Sequence, residues 1–147
     1  MATTTLTLGI TSDISSNTLD ISTSMNVTTD GTTGVTETSG IARKVIGASD
    51  TMLIDISAEP VILIAKKAVL YIKNCDGTFT DYVDLKIGTA PTADQHAEVL
   101  RIYGGQFAVL PLVNSNSIDA DGGIDGDVMV KAASSDTLIE YALFYES

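Results

Sequence analysis

The sequence predicts an all-β protein, built as a β-sandwich or jelly roll. Apolar and polar residues alternate over 19–27, 79–87 and 138–145, and this alternation indicates strands because successive side chains point to opposite faces of a sheet. Turn signals made of Gly, Asp, Asn and Pro recur roughly every 8–12 residues, a spacing typical of short antiparallel strands. No stretch of the chain has the apolar period of an amphipathic helix.

The first 50 residues differ in composition from the rest of the chain. They are rich in Thr and Ser, whereas residues 51–147 hold all five Tyr and all three Phe. A chain of 147 residues with 44% hydrophobic residues is long enough for one domain with its own core. We therefore expect a single domain overall, with an N-terminal strand or arm region over 1–50 and a β-sandwich core over 51–147.

The N-terminal region contains the first two predicted strands. Leu6, Leu8 and Ile10 alternate with polar residues, and a longer alternation follows over 19–27. Asp30 to Gly34 resembles a turn, after which 35–39 is predicted to return as the second strand of a Thr/Ser-rich hairpin. Thr suits the solvated face of a strand.

The second region supplies most of the predicted strands, each bounded by Gly, Pro or Asp/Asn turns. They cover residues 51–57, 61–65, 68–74, 79–87, 99–103, 107–112, 128–132 and 138–145. Residues 68–74 are apolar on both faces, which favours a central strand. Large apolar residues at alternate positions are predicted to form the core: Val69, Tyr71, Val83, Leu85, Phe107, Val109, Tyr141 and Leu143.

Charge and cysteine content exclude several classes of function. A net charge of −11, with only eight scattered basic residues, argues against nucleic-acid binding. No apolar run approaches the roughly 20 residues that would span a bilayer, and the first residues lack a basic stretch followed by an apolar one, so synthesis in the cytoplasm is expected. Cys75 is the single cysteine, which excludes an intrachain disulfide and predicts a half-buried turn thiol.

One acidic loop is a candidate metal site. Residues 119–127 carry four carboxylates, from Asp119, Asp121, Asp125 and Asp127, and a hard cation such as calcium prefers oxygen ligands of this kind. The segment does not match an EF-hand, because Gly123 and Val130 occupy its fifth and twelfth positions. We expect an acidic loop between strands, with calcium as the alternative and no other cofactor.

Catalysis is not expected from the remaining side chains. His96 is the single histidine, so acid–base, nucleophilic or zinc chemistry would all depend on one loop residue. The 19 acidic residues leave a carboxylate-pair glycosidase open, but a chain without Trp lacks the aromatic lining typical of such clefts. A non-enzymatic structural or binding role is therefore expected.

From Ala68 onward the order of strands and turns resembles that of a known family. The segments that carry the resemblance are AVLYIKN (68–74), FTDYVDLKIG (79–88), LRIYGGQFAVLPL (100–112), VMVKAAS (128–134) and TLIEYALFYES (137–147), after a Thr-rich hairpin. This pattern is similar to that of small virion structural proteins of tailed bacteriophages, especially those infecting marine bacteria. The resemblance covers about residues 5–147 and carries no active-site residues.

The resemblance implies a jelly-roll or β-sandwich subunit of the virion. Its partners would be the major capsid protein and copies of itself, as a homo-oligomer such as a trimer, and its location the capsid surface. A decoration or cement protein of the head is the first expectation, and a tail or fibre component the alternative. Two other roles stay open: a receptor- or sugar-binding fibre head using Tyr82 and Tyr103, and a calcium-dependent adhesin using the 119–127 loop.

Overall fold

The computed structural model describes residues 5–12, 19–26, 37–54, 67–88, 97–113, 127–133 and 136–145. Across these residues the chain contains strands and no helix, which confirms the all-β prediction. The strands are β1 (Thr5–Ser12), β2 (Leu19–Asn26), β3 (Glu37–Thr38), β4 (Ala42–Ile46), β5 (Thr51–Ile54), β6 (Lys67–Asn74), β7 (Tyr82–Gly88), β8 (Ala97–Tyr103), β9 (Phe107–Val113), β10 (Asp127–Ala132) and β11 (Thr137–Tyr145). Among the described residues, no helix is both long and apolar enough to cross a bilayer.

Two antiparallel sheets form the sandwich. The five-stranded sheet has the order β3-β11-β6-β9, with β4 also paired to β11, and the four-stranded sheet has the order β5-β10-β7-β8. The chain passes from one sheet to the other after β4, where Gly47 accepts a hydrogen bond from the backbone N–H of Ala132 in β10 (3.0 Å). The predicted β-sandwich is therefore confirmed.

The core lies between the two sheets and is aliphatic. Alternate residues of β6, β11, β7 and β10 point inward, as expected for strands with one buried face. The core side chains are Ile46, Ala68, Leu70, Ile72, Ile139 and Leu143 from one sheet and Ile54, Val83, Leu85, Ile102, Val128, Val130 and Ala132 from the other.

The predicted core is correct in part. Val83, Leu85 and Leu143 are buried, and Val69, Tyr71, Val109 and Tyr141 are half-buried. Phe107 was expected in the core and is 55% exposed, so this prediction is wrong. In β6 and β9 the inward face is the other one, made of Ala68, Leu70 and Ile72 with Ala108, Leu110 and Leu112. Both strands are apolar on both faces, so periodicity alone does not decide which face is inside.

The N-terminal strands pair differently from the prediction. β1 and β2 form a two-stranded antiparallel sheet with each other. The segment predicted to return onto this hairpin instead contributes β3, which pairs with β11 at the edge of the sandwich. The following strand, β4, was not predicted, because its sequence ARKVI lacks a regular alternation. The predicted strand over 61–65 lies outside the described residues.

A bulge joins β3 and β4 into one interrupted edge strand. Thr38 lies opposite Phe144 and Ala42 opposite Tyr141, so this edge holds one residue more than β11 between the two pairs. Gly40 has a φ of 71°, a left-handed conformation that glycine adopts without steric penalty. The side-chain oxygen of Ser39 accepts the backbone N–H of Leu143 (2.9 Å) and bonds β11 at the bulge.

Candidate interaction surfaces

The β1–β2 hairpin is the first candidate surface. Residues directly opposite each other in an antiparallel ladder share a face, and Leu8 pairs with Thr23. The backbone register adds positions 6, 10, 21 and 25 to that face, which are Leu, Ile, Ile and Met. Leu8 and Ile21 are 40% and 44% exposed, and Thr7, Ser22 and Ser24 of the other face are exposed as well. The described side chains of the hairpin are therefore accessible on both faces.

The second candidate is the outward face of the five-stranded sheet, here called the apolar outer face. Its centre is a row formed by Ala142, Tyr71 and Val109, and the next row holds Phe144, Val69 and Pro111. Val45 of β4 and Phe107 of β9 lie on the same face and are 57% and 55% exposed. The residues of this face whose side chains the structure describes are Arg43, Val45, Val69, Tyr71, Lys73, Phe107, Val109, Pro111, Leu138, Glu140, Ala142 and Phe144.

Among the side chains that the structure describes on the apolar outer face, the charged ones lie in one row. Arg43, Glu140 and Lys73 lie side by side on β4, β11 and β6. A guanidinium nitrogen of Arg43 lies 2.9 Å from Glu140 Oε2, and the hydroxyl of Tyr71 donates to Glu140 Oε1 (3.3 Å). The hydrogen bond from Arg43 lowers the pKa of Glu140. Partial burial, together with the neighbouring carboxylate, raises the pKa of Tyr71.

The outward face of the four-stranded sheet is polar by contrast. Arg101 of β8 donates two hydrogen bonds to Asp84 of β7, at 2.7 and 2.9 Å. The Arg101 guanidinium also lies 3.7 Å from the centre of the Tyr82 ring, and the carboxylate of Asp84 raises its pKa further above the ordinary value. Lys86 is 3.1 Å from a carboxylate oxygen of Asp50. Each buried charge on this face therefore has an opposite partner.

An aromatic cluster continues this polar face at one end of the sandwich. Phe79 stacks on Tyr103, with ring centres 4.6 Å apart and planes within 6°. Tyr82 meets Tyr103 edge-on at 6.1 Å. Phe79 is 65% exposed, whereas Tyr82 and Tyr103 are half-buried. The two tyrosines named for a fibre head thus lie together, and the exposed ring beside them is Phe79, which lies in a turn rather than in the predicted strand over 79–87.

The structure does not test the candidate calcium loop or the single histidine, because most of these residues lie outside the described part of the chain. Asp119, Asp121, Asp125 and His96 lie outside the described residues, and Asp127 begins β10 opposite Gly88. Within the described ranges no group of three or more His, Cys, Asp or Glu side chains could hold a metal ion. The calcium alternative therefore stays a prediction.

Cys75 lies where the sequence placed it, in the turn after β6. Its thiol is free and its side chain half-buried. The backbone N–H of Cys75 donates to the carbonyl of Leu138 (2.8 Å), which fixes this turn against β11. A structural role in the turn is what this geometry supports.

Sequence reasoning missed the two ion-pair networks. Arg43 and Glu140 are 97 residues apart, and Arg101 and Asp84 are 17 apart. Each pair meets only because its strands are neighbours in a sheet. No local spacing signal marks such pairs, since cross-strand contacts depend on strand order and register.

Comparison with known proteins adds no relative to these observations. No protein-family model matches the chain, and neither a curated protein nor a solved structure matches it.

Proposed function

We propose that this protein is a non-enzymatic virion structural protein of a tailed bacteriophage, a capsid decoration or cement protein that binds between capsid subunits. The observation that carries the proposal is the β1–β2 hairpin. It is a sheet of its own, with one mostly apolar face on which Leu8 and Ile21 are exposed. The hairpin is the arm that binds the neighbouring capsid subunits.

A hairpin of this kind is stabilised by what it binds. A two-stranded sheet is marginally stable alone in water, and burying the exposed parts of Leu8 and Ile21 would contribute on the order of 1 kcal/mol each. The outer edges of the two strands can also pair with a strand of the capsid protein through main-chain hydrogen bonds. A partner that binds the folded form stabilises it by mass action, and a cement protein likewise stabilises the shell to which it binds.

The charge of the hairpin fits this role. The whole chain has a net charge of −11, but β1 and β2 contain a single charged residue, Asp20. Like-charge repulsion between the acidic subunit and an acidic partner is therefore weakest at the hairpin. The remaining acidic surface keeps the subunit soluble before it binds.

The sequence and the fold support the same role. The segments from Ala68 onward resemble those of phage virion proteins, and the β-sandwich supplies a compact body for an adhesive arm. On this proposal the partners are the major capsid protein and further copies of the chain, at the capsid surface. The protein acts by covering surface and carries out no chemical step.

The proposal is tested by binding to capsids that lack this protein. Leu8→Ser combined with Ile21→Ser removes apolar groups from one hairpin face, and Thr7→Ala combined with Ser22→Ala alters the opposite face as a matched control. We expect the wild type and the control to co-sediment with capsids and the first variant to lose binding at least tenfold. Full occupancy by the first variant would refute the hairpin as the capsid-binding arm, and a wild type that does not bind capsids would refute the decoration role.

A truncation provides an independent test. Deleting residues 1–30 removes the hairpin but stops before β3, because β3 and β4 pair with β11 in the sandwich. We expect the truncated protein to keep the far-UV circular dichroism spectrum of a folded β-protein and to lose capsid binding. A remainder that fails to fold would mean that the hairpin belongs to the folding unit itself.

The aromatic cluster favours a second candidate, a tail or fibre component involved in host attachment. Phe79 presents an exposed ring beside Tyr103 and Tyr82, and exposed aromatic rings commonly mark binding surfaces. Copy number in purified particles separates the two roles, because a shell protein follows the capsid lattice and a fibre protein is present in few copies. Phe79→Ala should reduce adsorption to host cells only if the fibre role is correct.

A further inference from the structure

We propose that the apolar outer face of the five-stranded sheet is a self-association surface, on which the same face of a second copy of this chain packs. The pairing is distinct from the capsid-binding hairpin and does not rest on the proposed virion role.

The two outward faces of the sandwich differ in polarity, and the fold of a monomer does not require this difference. Outward residues of a β-sandwich are usually polar, and the four-stranded sheet follows this rule with Asp84, Lys86 and Arg101. On the five-stranded sheet, nine of the twelve outward residues named above are apolar or aromatic. Val45 and Phe107 are more than half exposed, most of the others are half-buried, and Ala142 is buried. A partly exposed apolar face of this extent favours an interaction site.

Charge identifies a second copy as a suitable occupant. The chain has 19 acidic residues, but among the described side chains Glu140 is the one acid on the apolar outer face, where it pairs with Arg43. Two copies of this acidic chain therefore meet with little like-charge repulsion through this face. The outward face of the other sheet carries the paired charges of Asp84, Lys86 and Arg101, which disfavours the same contact.

The position of the charged row sets the orientation of the pair. Four rows of the face follow one another along the strands: Val45 with Leu138, then the charged row, then Ala142 with Tyr71 and Val109, then Phe144 with Val69 and Pro111. A two-fold axis that runs across the strands between the two middle rows places each charged row over the row of Ala142, Tyr71 and Val109 of the second copy. Like charges are then kept apart, and the long stem of Lys73 can cover apolar surface while its ammonium group stays in water.

The size of the face predicts a weak and reversible dimer. Four strands about 4.8 Å apart and about seven residues long, at about 3.3 Å per residue, cover roughly 440 Å² per copy. Two copies would bury roughly 900 Å² of projected area, which is near the lower limit for specific interfaces. We therefore expect a dissociation constant in roughly the micromolar range.

Analytical ultracentrifugation of the full chain over a concentration series tests the proposal. We expect the wild type to shift from monomer to dimer, and Phe107→Lys and Val45→Lys to raise the dissociation constant at least tenfold. Phe79→Lys is the matched control, because Phe79 is exposed to a similar degree but lies on the aromatic cluster. It should dimerise like the wild type. Circular dichroism checks that each variant is folded, and two separate positions on the face guard against misfolding of one.

Three results would overturn the proposal. The first is a wild type that stays monomeric at about 1 mM, far above the expected micromolar dissociation constant. The second is unchanged dimerisation of both folded face variants. The third is loss of the dimer in the Leu8→Ser, Ile21→Ser variant, which would identify the hairpin of the second copy as the occupant of the face. Unchanged dimerisation of that hairpin variant supports the face-to-face pair, whatever the outcome of the capsid-binding assay.

Discussion

Replacing Asn74 with Ala should destabilise the sandwich more than any single surface change. Asn74 ends β6 and is 1% exposed. Its amide nitrogen donates to the carbonyls of Asp81 (2.9 Å) and Ile102 (3.2 Å), and its amide oxygen accepts the backbone N–H of Asp76 (3.0 Å). One side chain thus connects the turn after β6, the start of β7 and the end of β8.

The magnitude follows from the three lost hydrogen bonds. Leaving a buried carbonyl without a partner costs about 1–3 kcal/mol, and each partly buried bond contributes about 0.5–1.5 kcal/mol. The expected loss for Asn74→Ala is therefore about 2–6 kcal/mol, a large fraction of the roughly 5–15 kcal/mol that stabilises a typical domain. Asn74→Asp retains the acceptor but loses the donor, so it should be destabilising as well.

Urea denaturation measures this loss as a change in the free energy of unfolding. The denaturation midpoint should fall while the slope stays constant, because the amount of surface exposed on unfolding is unchanged. Thr80→Ala, at an exposed turn position, is the control and should change stability by less than about 0.5 kcal/mol. A loss below about 1 kcal/mol for Asn74→Ala would refute the claim that this amide holds the three segments together.

Two further predictions concern backbone space and pH. Gly104→Ala should lower the melting temperature strongly, because an added Cβ would lie 2.2 Å from the carbonyl oxygen of Thr78. Gly77→Ala is the control and should be nearly neutral, because its added Cβ meets nothing within 4 Å. Equal changes in the melting temperature of the two variants would contradict this prediction. Because the pKa of Glu140 is lowered in the folded protein, its carboxylate stabilises the fold at pH values above the ordinary pKa of 4.5. This stabilisation is lost as the pH falls through the lowered pKa. The stability difference between wild type and Glu140→Gln should therefore be constant near neutral pH and shrink below about pH 4.5 in urea titrations; a difference that grew in acid would refute the assignment.

Strands with one polar face could be predicted from the sequence in both position and orientation. In β7 apolar residues alternate with polar ones, so the inward positions of Val83 and Leu85 follow from the pattern. In β6 and β9 both faces are apolar, and the prediction chose the outward one. Leu70 is fully buried and Phe107 more than half exposed, because the partner sheet covers only one side of these strands.

The candidate surfaces were predictable only in part. The alternation around Leu8 and Ile21 indicated strands, and the register of β1 and β2 then placed both residues on one face. The apolar outer face joins residues from four strands that are far apart in the sequence, so no window of the chain contains it. The same is true of the Arg43–Glu140 pair, whose members are 97 residues apart.

The sequence by itself determined that this protein is an all-β chain. The alternation of apolar and polar residues can be read within each short segment, and it is required in any strand with one solvent-exposed face. It also determined the acidic surface and the absence of an intrachain disulfide. Tertiary structure decided which strands are neighbours, which face of β6 and β9 is covered, and that 37–46 joins β11 rather than the N-terminal hairpin. These choices depend on contacts between distant segments, since burial is a property of the assembled sheets and not of any one strand.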